Sequence, residues 1–258
     1  MVDYAMFKRH VDDVHNAAKI VIQTQNAKTV WPSLSREEAG EAEMKVVFSE
    51  PGILWNAPIR GSSGTTTRTK RAIVMGGSFF FKNGTFDMGS ACLEVYSLTP
   101  ESGSFKLKLL EAMHFDTEPN EQQSAFHPMF HMQFGKSNQW DDAKLQNLMA
   151  KIARTDASKI EIDRSLTIAT RDMRIPTPQM DYLSMLVMIV ADYFCEKNST
   201  REVTKGFKKI LRAVMDSRNP ARDGRQSNRL ALRWSNQTEY PFCASHWYEE
   251  SVVNTANS

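Results

Sequence analysis

The residues whose types and spacing suit acid–base catalysis or metal binding lie between Ala125 and Gly135. Histidine gains or loses a proton near neutral pH, so it serves as a general acid, a general base or a metal ligand. Two of the six histidines, His127 and His131, are four residues apart in this segment. If the segment is a β-strand, side chains alternate, and both histidines share a polar face with Gln133. The other face then carries Phe126, Phe130, Met132 and Phe134.

The spacing of the two histidines leaves their role open. Positions four apart on a strand are separated by ~13 Å, too far to bind one metal unless the strand bends. Pro128 lies between them and favours a bulge or an edge position, where such a bend occurs. The alternatives are a general base, a pair contacting phosphate, a ligand set for a divalent metal, and a merely polar edge strand. We take His127 and His131 as candidate catalytic residues and leave the cofactor open.

Carboxylates on the neighbouring strands are the natural partners of these histidines. Four lie on or beside the predicted sheet, and strand pairing can bring one or two of them close: Asp87, Glu94, Glu111 and Asp116. Clustered acids are what a metal-dependent nuclease site requires. We name Asp87 and Glu94 as candidate catalytic residues, although no Asp…Glu-x-Lys signature specifies them.

Arg174 is a candidate anion anchor. It precedes Pro176, which favours an extended backbone, and it lies just upstream of an apolar helix. One interpretation is a structural ion pair with Asp181 or Asp192, because a carboxylate on such a helix is costly to bury unpaired. The other is that Arg174 reaches the histidine face and binds an anion there.

A basic block lies between Arg201 and Arg233. It holds ten Lys or Arg residues against three acids, a balance of +7, so the rest of the chain carries −5 of the net charge of +2. Its loop-like part carries Arg218, Arg222, Arg225, Arg229 and Arg233 and ends beside Trp234. Arginine clusters with an aromatic suit phosphate contact and base stacking, so we predict that these five bind nucleic acid. The alternative is a solvated surface.

The sequence patterns around these residues predict an α+β fold. In this fold an antiparallel β meander packs against a mostly helical C-terminal half. The apolar residues have helical spacing over Tyr4–Gln23, and they alternate with polar residues, as in β-strands, from about residue 44. Asn83-Gly84 is a favoured hairpin pair. We expect one domain over 1–258, with a helical part at 1–43, the sheet at 44–135, a mainly helical part at 136–253 and a tail at 254–258.

Local signals predict three more helices and a surface position for two other histidines. Ser35–Glu38 matches a capping box, which predicts a short helix. Thr177 as N-cap and Pro178 at the first helical position predict a buried apolar helix over Pro178–Cys195. Ser199–Glu202 matches a second capping box, ahead of a helix reaching about Arg218. We expect His10 and His15, five apart on the first helix, to be solvated.

Composition favours a cytoplasmic protein. The chain has 258 residues, 41% of them hydrophobic and 24% charged, which is ordinary for a globular protein. Three widely spaced cysteines predict reduced thiols rather than disulfides. The N-terminus lacks a signal-peptide pattern, and no run approaches the ~18 apolar residues of a membrane span, so we expect no membrane partner.

The pairing of His127–Gly135 with Arg174-Ile-Pro176 resembles an uncharacterised bacterial protein family. Those proteins carry a similar His-Pro strand, an Arg-Ile-Pro turn and a buried helix, and the likeness covers Phe126 to Phe194. The resemblance implies that the two motifs belong to one unit, and it brings no activity with it.

Two functional hypotheses follow. The first is a bacterial toxin-like or defence-type effector acting on nucleic acid or a nucleotide through the His-bearing strand, with hydrolysis as the expected reaction. The second is a non-catalytic interaction or accessory subunit of a bacterial operon, which binds a protein partner or a second copy. The chain carries none of the dinucleotide-binding, Walker, zinc-protease, serine-hydrolase or kinase motifs, so no motif decides between the two.

Overall fold

The protein has an α+β fold, as the sequence predicts. The computed structural model describes residues 3–40, 42–59, 70–117, 130–135, 140–165, 174–177, 180–196, 199–216 and 218–221. The helices are α1 (Tyr4–Gln23), α2 (Asp142–Ala153), α3 (Tyr182–Phe194) and α4 (Arg201–Val214). The strands are β1 (Lys28–Val30), β2 (Ser33–Gly40), β3 (Glu43–Glu50), β4 (Gly52–Ala57), β5 (Lys70–Lys82), β6 (Thr85–Glu101), β7 (Ser104–Thr117), β8 (Phe130–Phe134), β9 (Ile160–Asp163) and β10 (Ile175–Pro176). None of these helices is long and apolar enough to cross a membrane.

Three long strands form the predicted antiparallel meander. β5 pairs with β6 and β6 with β7, and two-residue turns join them at Asn83-Gly84 and Ser102-Gly103. All four turn residues have positive φ, between 42° and 88°, as the hairpin turns that match strand twist require. The hairpin predicted at Asn83-Gly84 is therefore confirmed.

The sheet branches on both sides of this meander. The main strand order is β1-β4-β5-β6-β7-β8-β10. The first half of β5 pairs with β4 and its second half with β3, which pairs in turn with β2. In the same way, the first half of β7 pairs in parallel with β9, and its second half pairs with β8.

Helices cover both faces of the sheet. On one face, which we call the three-helix face, α1 and α3 pack against apolar sheet residues such as Phe79 and Phe115, and α4 packs on α1 and α3. On the opposite face, the α2 face, α2 packs against Trp55 and Tyr96. Strand alternation sends successive side chains to these two cores. The prediction of a buried α3 is confirmed, because seven of its residues are buried.

The structure corrects the predicted helix at Ser35–Glu38. These residues lie in β2 and pair with β3. A helix needs an apolar stripe to bury, and Leu34 is the only large apolar residue from Ser33 to Gly40. The start of α3 is also later than predicted, because Asp181 is the N-cap and accepts from the Ser184 N–H at 2.8 Å. Thr177 instead donates its N–H to the Phe130 carbonyl at the sheet edge.

The prediction that His10 and His15 are solvated is wrong. Each is only 2% exposed, because α1 turns the side carrying them toward the core. His15 stacks on Trp31 with ring centroids 4.3 Å apart, and its Nε2 lies 2.9 Å from the Tyr182 hydroxyl. Burial lowers the pKa of His15 to about 3, so the ring is neutral at neutral pH.

Candidate active site

Strands β7 and β8 bring two histidines to one carboxylate. Asp116 lies directly opposite His131 in the strand register, and His114 lies opposite Gln133. The Nε2 of His114 is 2.7 Å from Asp116 Oδ1, and the Nε2 of His131 is 3.5 Å from Asp116 Oδ2. One carboxylate therefore lies between two imidazoles, and we call these three residues the histidine group.

Strand alternation explains the histidine group. On β7, His114 and Asp116 point to the α2 face while Phe115 between them packs into the three-helix core. The side chain of His131 is 2% exposed, that of Asp116 is 11% exposed and that of His114 is 20% exposed. His114 is therefore the ring of the group that solvent reaches most, and His131 is packed behind the carboxylate.

Small and polar side chains extend the histidine group across the sheet. Ser78, Ser90, Asp116 and His131 form one cross-strand row, in which the two serine hydroxyls are 3.0 Å apart. Gly76, Cys92, His114 and Gln133 form the next row. Directly paired residues on neighbouring strands point to the same face, so both rows share the α2 face.

Trp140 lies over the end of the second row. A Cβ atom added to Gly76 would be 2.5 Å from Trp140 Cζ2, so the indole lies where a side chain at Gly76 would be. The indole Nε1 is buried and has no hydrogen-bond partner in the part of the chain that the structure describes. Adjacent strands are about 4.8 Å apart. Gly76 on β5, under the indole, is therefore about 10 Å from His114 on β7, two strands away.

Glu94 continues the same face beyond Cys92, but its carboxylate is held by other groups. It is fully buried, accepts from the Tyr96 hydroxyl at 2.6 Å and forms an ion pair with Arg164 Nη1 at 3.2 Å. Burial, and then the charge of Glu94, raises the pKa of Tyr96. Arg164 also binds Asp142 at 2.6 Å and the Trp140 carbonyl at 2.9 Å. This network fastens Trp140 and the start of α2 to the sheet.

The other predicted catalytic residues are not brought together with the histidine group. His127 lies outside the described residues. Asp87 is on β6, three residues and about 10 Å along the strand from Ser90, the partner of Asp116. Arg174 is exposed and directly precedes β10, whose Pro176 pairs with His131. Its proposed partner Asp181 caps α3 instead, and burial raises the pKa of that carboxyl.

One of the five predicted nucleic-acid-binding arginines lies within the described residues. Arg218 binds both carboxylate oxygens of Asp216, at 2.9 and 3.2 Å, and lies 3.8 Å from Asp13. The hydrogen bonds from Arg218 lower the pKa of Asp216 to about 2. The remaining four, Arg222, Arg225, Arg229 and Arg233, lie outside the described residues.

Among the described residues, no group of three or more His, Cys, Asp or Glu is arranged to hold a metal ion. In the histidine group, both Nε2 atoms are directed at the carboxylate rather than at a shared vacant point. Metal ligands must instead direct their lone pairs at one centre. The geometry suits proton transfer better than metal binding.

Sequence reasoning named His131 and considered Asp116, but it missed His114. The signal was present in His114-x-Asp116, which alternation places on one face of a strand. No protein-family model, curated protein or solved structure matches the chain. A functional assignment therefore depends on the geometry of the histidine group.

Proposed function

We propose that the protein is a bacterial cytoplasmic enzyme that hydrolyses a phosphodiester bond in nucleic acid or a nucleotide, with the histidine group as its acid–base centre. The observation that carries this proposal is the single carboxylate of Asp116 between the rings of His114 and His131. A carboxylate that binds one ring nitrogen of a histidine holds the tautomer and orientation needed for proton transfer, and it stabilises the imidazolium that forms.

His114 is the proton-transferring residue in this proposal. Its Nε2 donates to Asp116, so its Nδ1 takes the proton of an attacking water. The water oxygen bonds to phosphorus as the bond to the leaving oxygen breaks, and the proton passes from His114 to that oxygen. His131 is a positioning residue, because it holds the second oxygen of Asp116 from a buried site.

Trp140 favours a nucleotide unit as substrate. An aromatic side chain offers a stacking surface for any base. Gly76, which lies under the indole of Trp140, is about 10 Å from His114 across the strands. This distance leaves room for a sugar between a base stacked on Trp140 and a phosphate at His114. The indole Nε1, which lacks a partner among the described residues, is a donor for such a ligand.

The purified full chain tests this proposal on a panel of labelled RNA, single-stranded DNA, duplex DNA and cyclic dinucleotides. We expect cleavage of at least one of them and its loss in His114→Gln, with the melting temperature nearly unchanged because His114 is partly exposed. Glu111→Gln is the matched control, an exposed position on the same strand, and it should cleave normally. Equal activity of His114→Gln and the wild type would contradict the proposal.

The second candidate function is a non-catalytic subunit that binds a protein partner or a second copy. It is favoured by exposed apolar side chains at the β8–β10 edge, where Phe134 is 38% exposed and Ile175 is 37% exposed. Edge strands with apolar side chains favour pairing with another chain. Light scattering separates the two cases, since an Ile175→Lys variant should dissociate such an assembly and leave cleavage by a monomer intact.

A further inference from the structure

Helix α4 carries a straight line of positive charge. Arg201, Lys205, Lys208 and Arg212 are spaced by four, three and four residues, and all four are exposed. Residues at these spacings lie on one helix face. From Arg201 to Arg212 the helix rises about 16.5 Å, so the four charges are on average about 5.5 Å apart along the axis. We call these four residues the basic stripe.

The opposite side of α4 is fixed to the body of the protein. Val203 and Ile210 are buried in the three-helix core. A Cβ atom added to Gly206 would lie 2.6 Å from Val21 Cγ2, so α4 approaches α1 as closely as only glycine permits. Glycine is unfavourable inside a helix, and its presence here shows that close packing determines this position. The basic stripe is therefore held at a defined place on the surface.

The basic stripe does not stabilise α4 by itself. Like charges at i,i+3 and i,i+4 repel, and Arg201 in the first turn opposes the helix dipole. None of the four cations forms an ion pair with another described residue. The only acid on α4, Glu202, is three residues before Lys205, but the two side chains do not form an ion pair in the structure. A surface of this kind gains stability when an anion binds.

We propose that the basic stripe binds the phosphate backbone of nucleic acid, independently of the proposed catalytic function. Evenly spaced charges along one line match a linear polyanion. A membrane-surface helix instead needs several large apolar side chains on its free lipid-facing side, whereas Val203 and Ile210 of α4 are buried in the core and Leu211 is its one exposed large apolar residue. The stripe is on the three-helix face and the histidine group is on the α2 face. The stripe is thus a second binding surface, separate from the site where a bond would be cut.

Salt-dependent binding tests the proposal. The probes are fluorescently labelled oligothymidylate and a labelled DNA duplex, titrated with the full chain at several salt concentrations. Removing two phosphate contacts in Lys205→Gln/Lys208→Gln should reduce the log–log salt slope by about 1.4 for the single strand and about 1.8 for the duplex. At ~0.1 M salt this corresponds to an affinity for oligothymidylate that is about 25-fold weaker.

The matched control is Lys8→Gln/Lys19→Gln, which removes the same charge from exposed positions on α1 and should leave the slope unchanged. Equal reductions of the salt slope in both variants would show that net charge alone causes the effect, and this result would overturn the proposal. Stripe-dependent binding to phosphatidylserine vesicles without binding to either nucleic acid would also overturn it, since Leu211 and Met215 are exposed beside the stripe. His114→Gln should bind both probes normally, so failure of the catalytic proposal is distinguishable from failure of this one.

Discussion

His114 and Asp116 lie two residues apart on β7, and their side chains meet with 2.7 Å between Nε2 and Oδ1. Residues at i and i+2 of a strand share a face, so this contact needs no long-range folding beyond the strand itself. The addition of His131 from β8 turns a local pair into a group with one buried and one accessible ring.

Replacement of Asp116 by Asn should lower kcat far more than it lowers stability. Asn cannot stabilise a protonated His114, and general acid–base catalysis contributes about 10²–10⁴-fold. We expect a loss of kcat in that range, with KM nearly unchanged. Steady-state kinetics on a cleaved substrate measure both constants, and a larger change in KM than in kcat would contradict the assignment.

Gly76→Ala should destabilise the protein by displacing Trp140. The new methyl group would lie 2.5 Å from Trp140 Cζ2, and overpacking of this kind costs about 1–3 kcal/mol. Chemical denaturation of Gly76→Ala measures the cost. In a Trp140→Ala background the same substitution should cost little, because its clashing partner has been removed. An equal cost in both backgrounds would show that the clash is not the cause.

Arg164→Met should be strongly destabilising, because it leaves the fully buried Glu94 without its cation. Breaking a buried pair costs about 3–5 kcal/mol, whereas an exposed pair contributes about 1 kcal/mol or less. The exposed pair Lys106–Glu161, at 3.6 Å, offers the control Lys106→Met. Urea unfolding of both variants should show this difference. The double variant Glu94→Gln/Arg164→Met should recover part of the loss, and no recovery would contradict the buried-charge explanation.

Acid should destabilise the fold through its two buried histidines. Burial lowers the folded-state pKa of His15 to about 3, below the unfolded value of about 6.5, and it also lowers the pKa of His10. Between these two values the unfolded state binds more protons, so stability falls as the pH falls through that window. The slope for His15 is at most about 1.4 kcal/mol per pH unit.

His15→Phe isolates the contribution of that histidine. Phenylalanine keeps an aromatic ring against Trp31 and cannot titrate. The variant should lose less stability than the wild type between neutral pH and pH values near 4.5, as measured by urea unfolding at each pH. Parallel pH dependence in the two proteins would assign the acid sensitivity to other groups.

The sequence predicted the long α1, the Asn83-Gly84 hairpin and the buried α3 because their signals are local. It did not predict that β6 is one continuous strand. Gly89 and Ser90 look like a break, yet they continue the ladder because β5 and β7 supply hydrogen-bond partners on both sides. Likewise, the capping-box residues Ser35–Glu38 form a strand rather than a helix because β3 pairs with them.

For the candidate site, the sequence by itself determined that His131 lies on the polar face of a strand. It also determined that acids such as Asp116 lie on or beside the same sheet. Only the tertiary structure decided which acid meets which histidine, because strand register depends on pairing across the sheet. Register also placed Glu94 with Arg164, and it left Asp87 along β6 away from the histidine group. The separation of the basic stripe from the histidine group has the same origin, since which face a helix covers is decided by packing between distant segments of the chain.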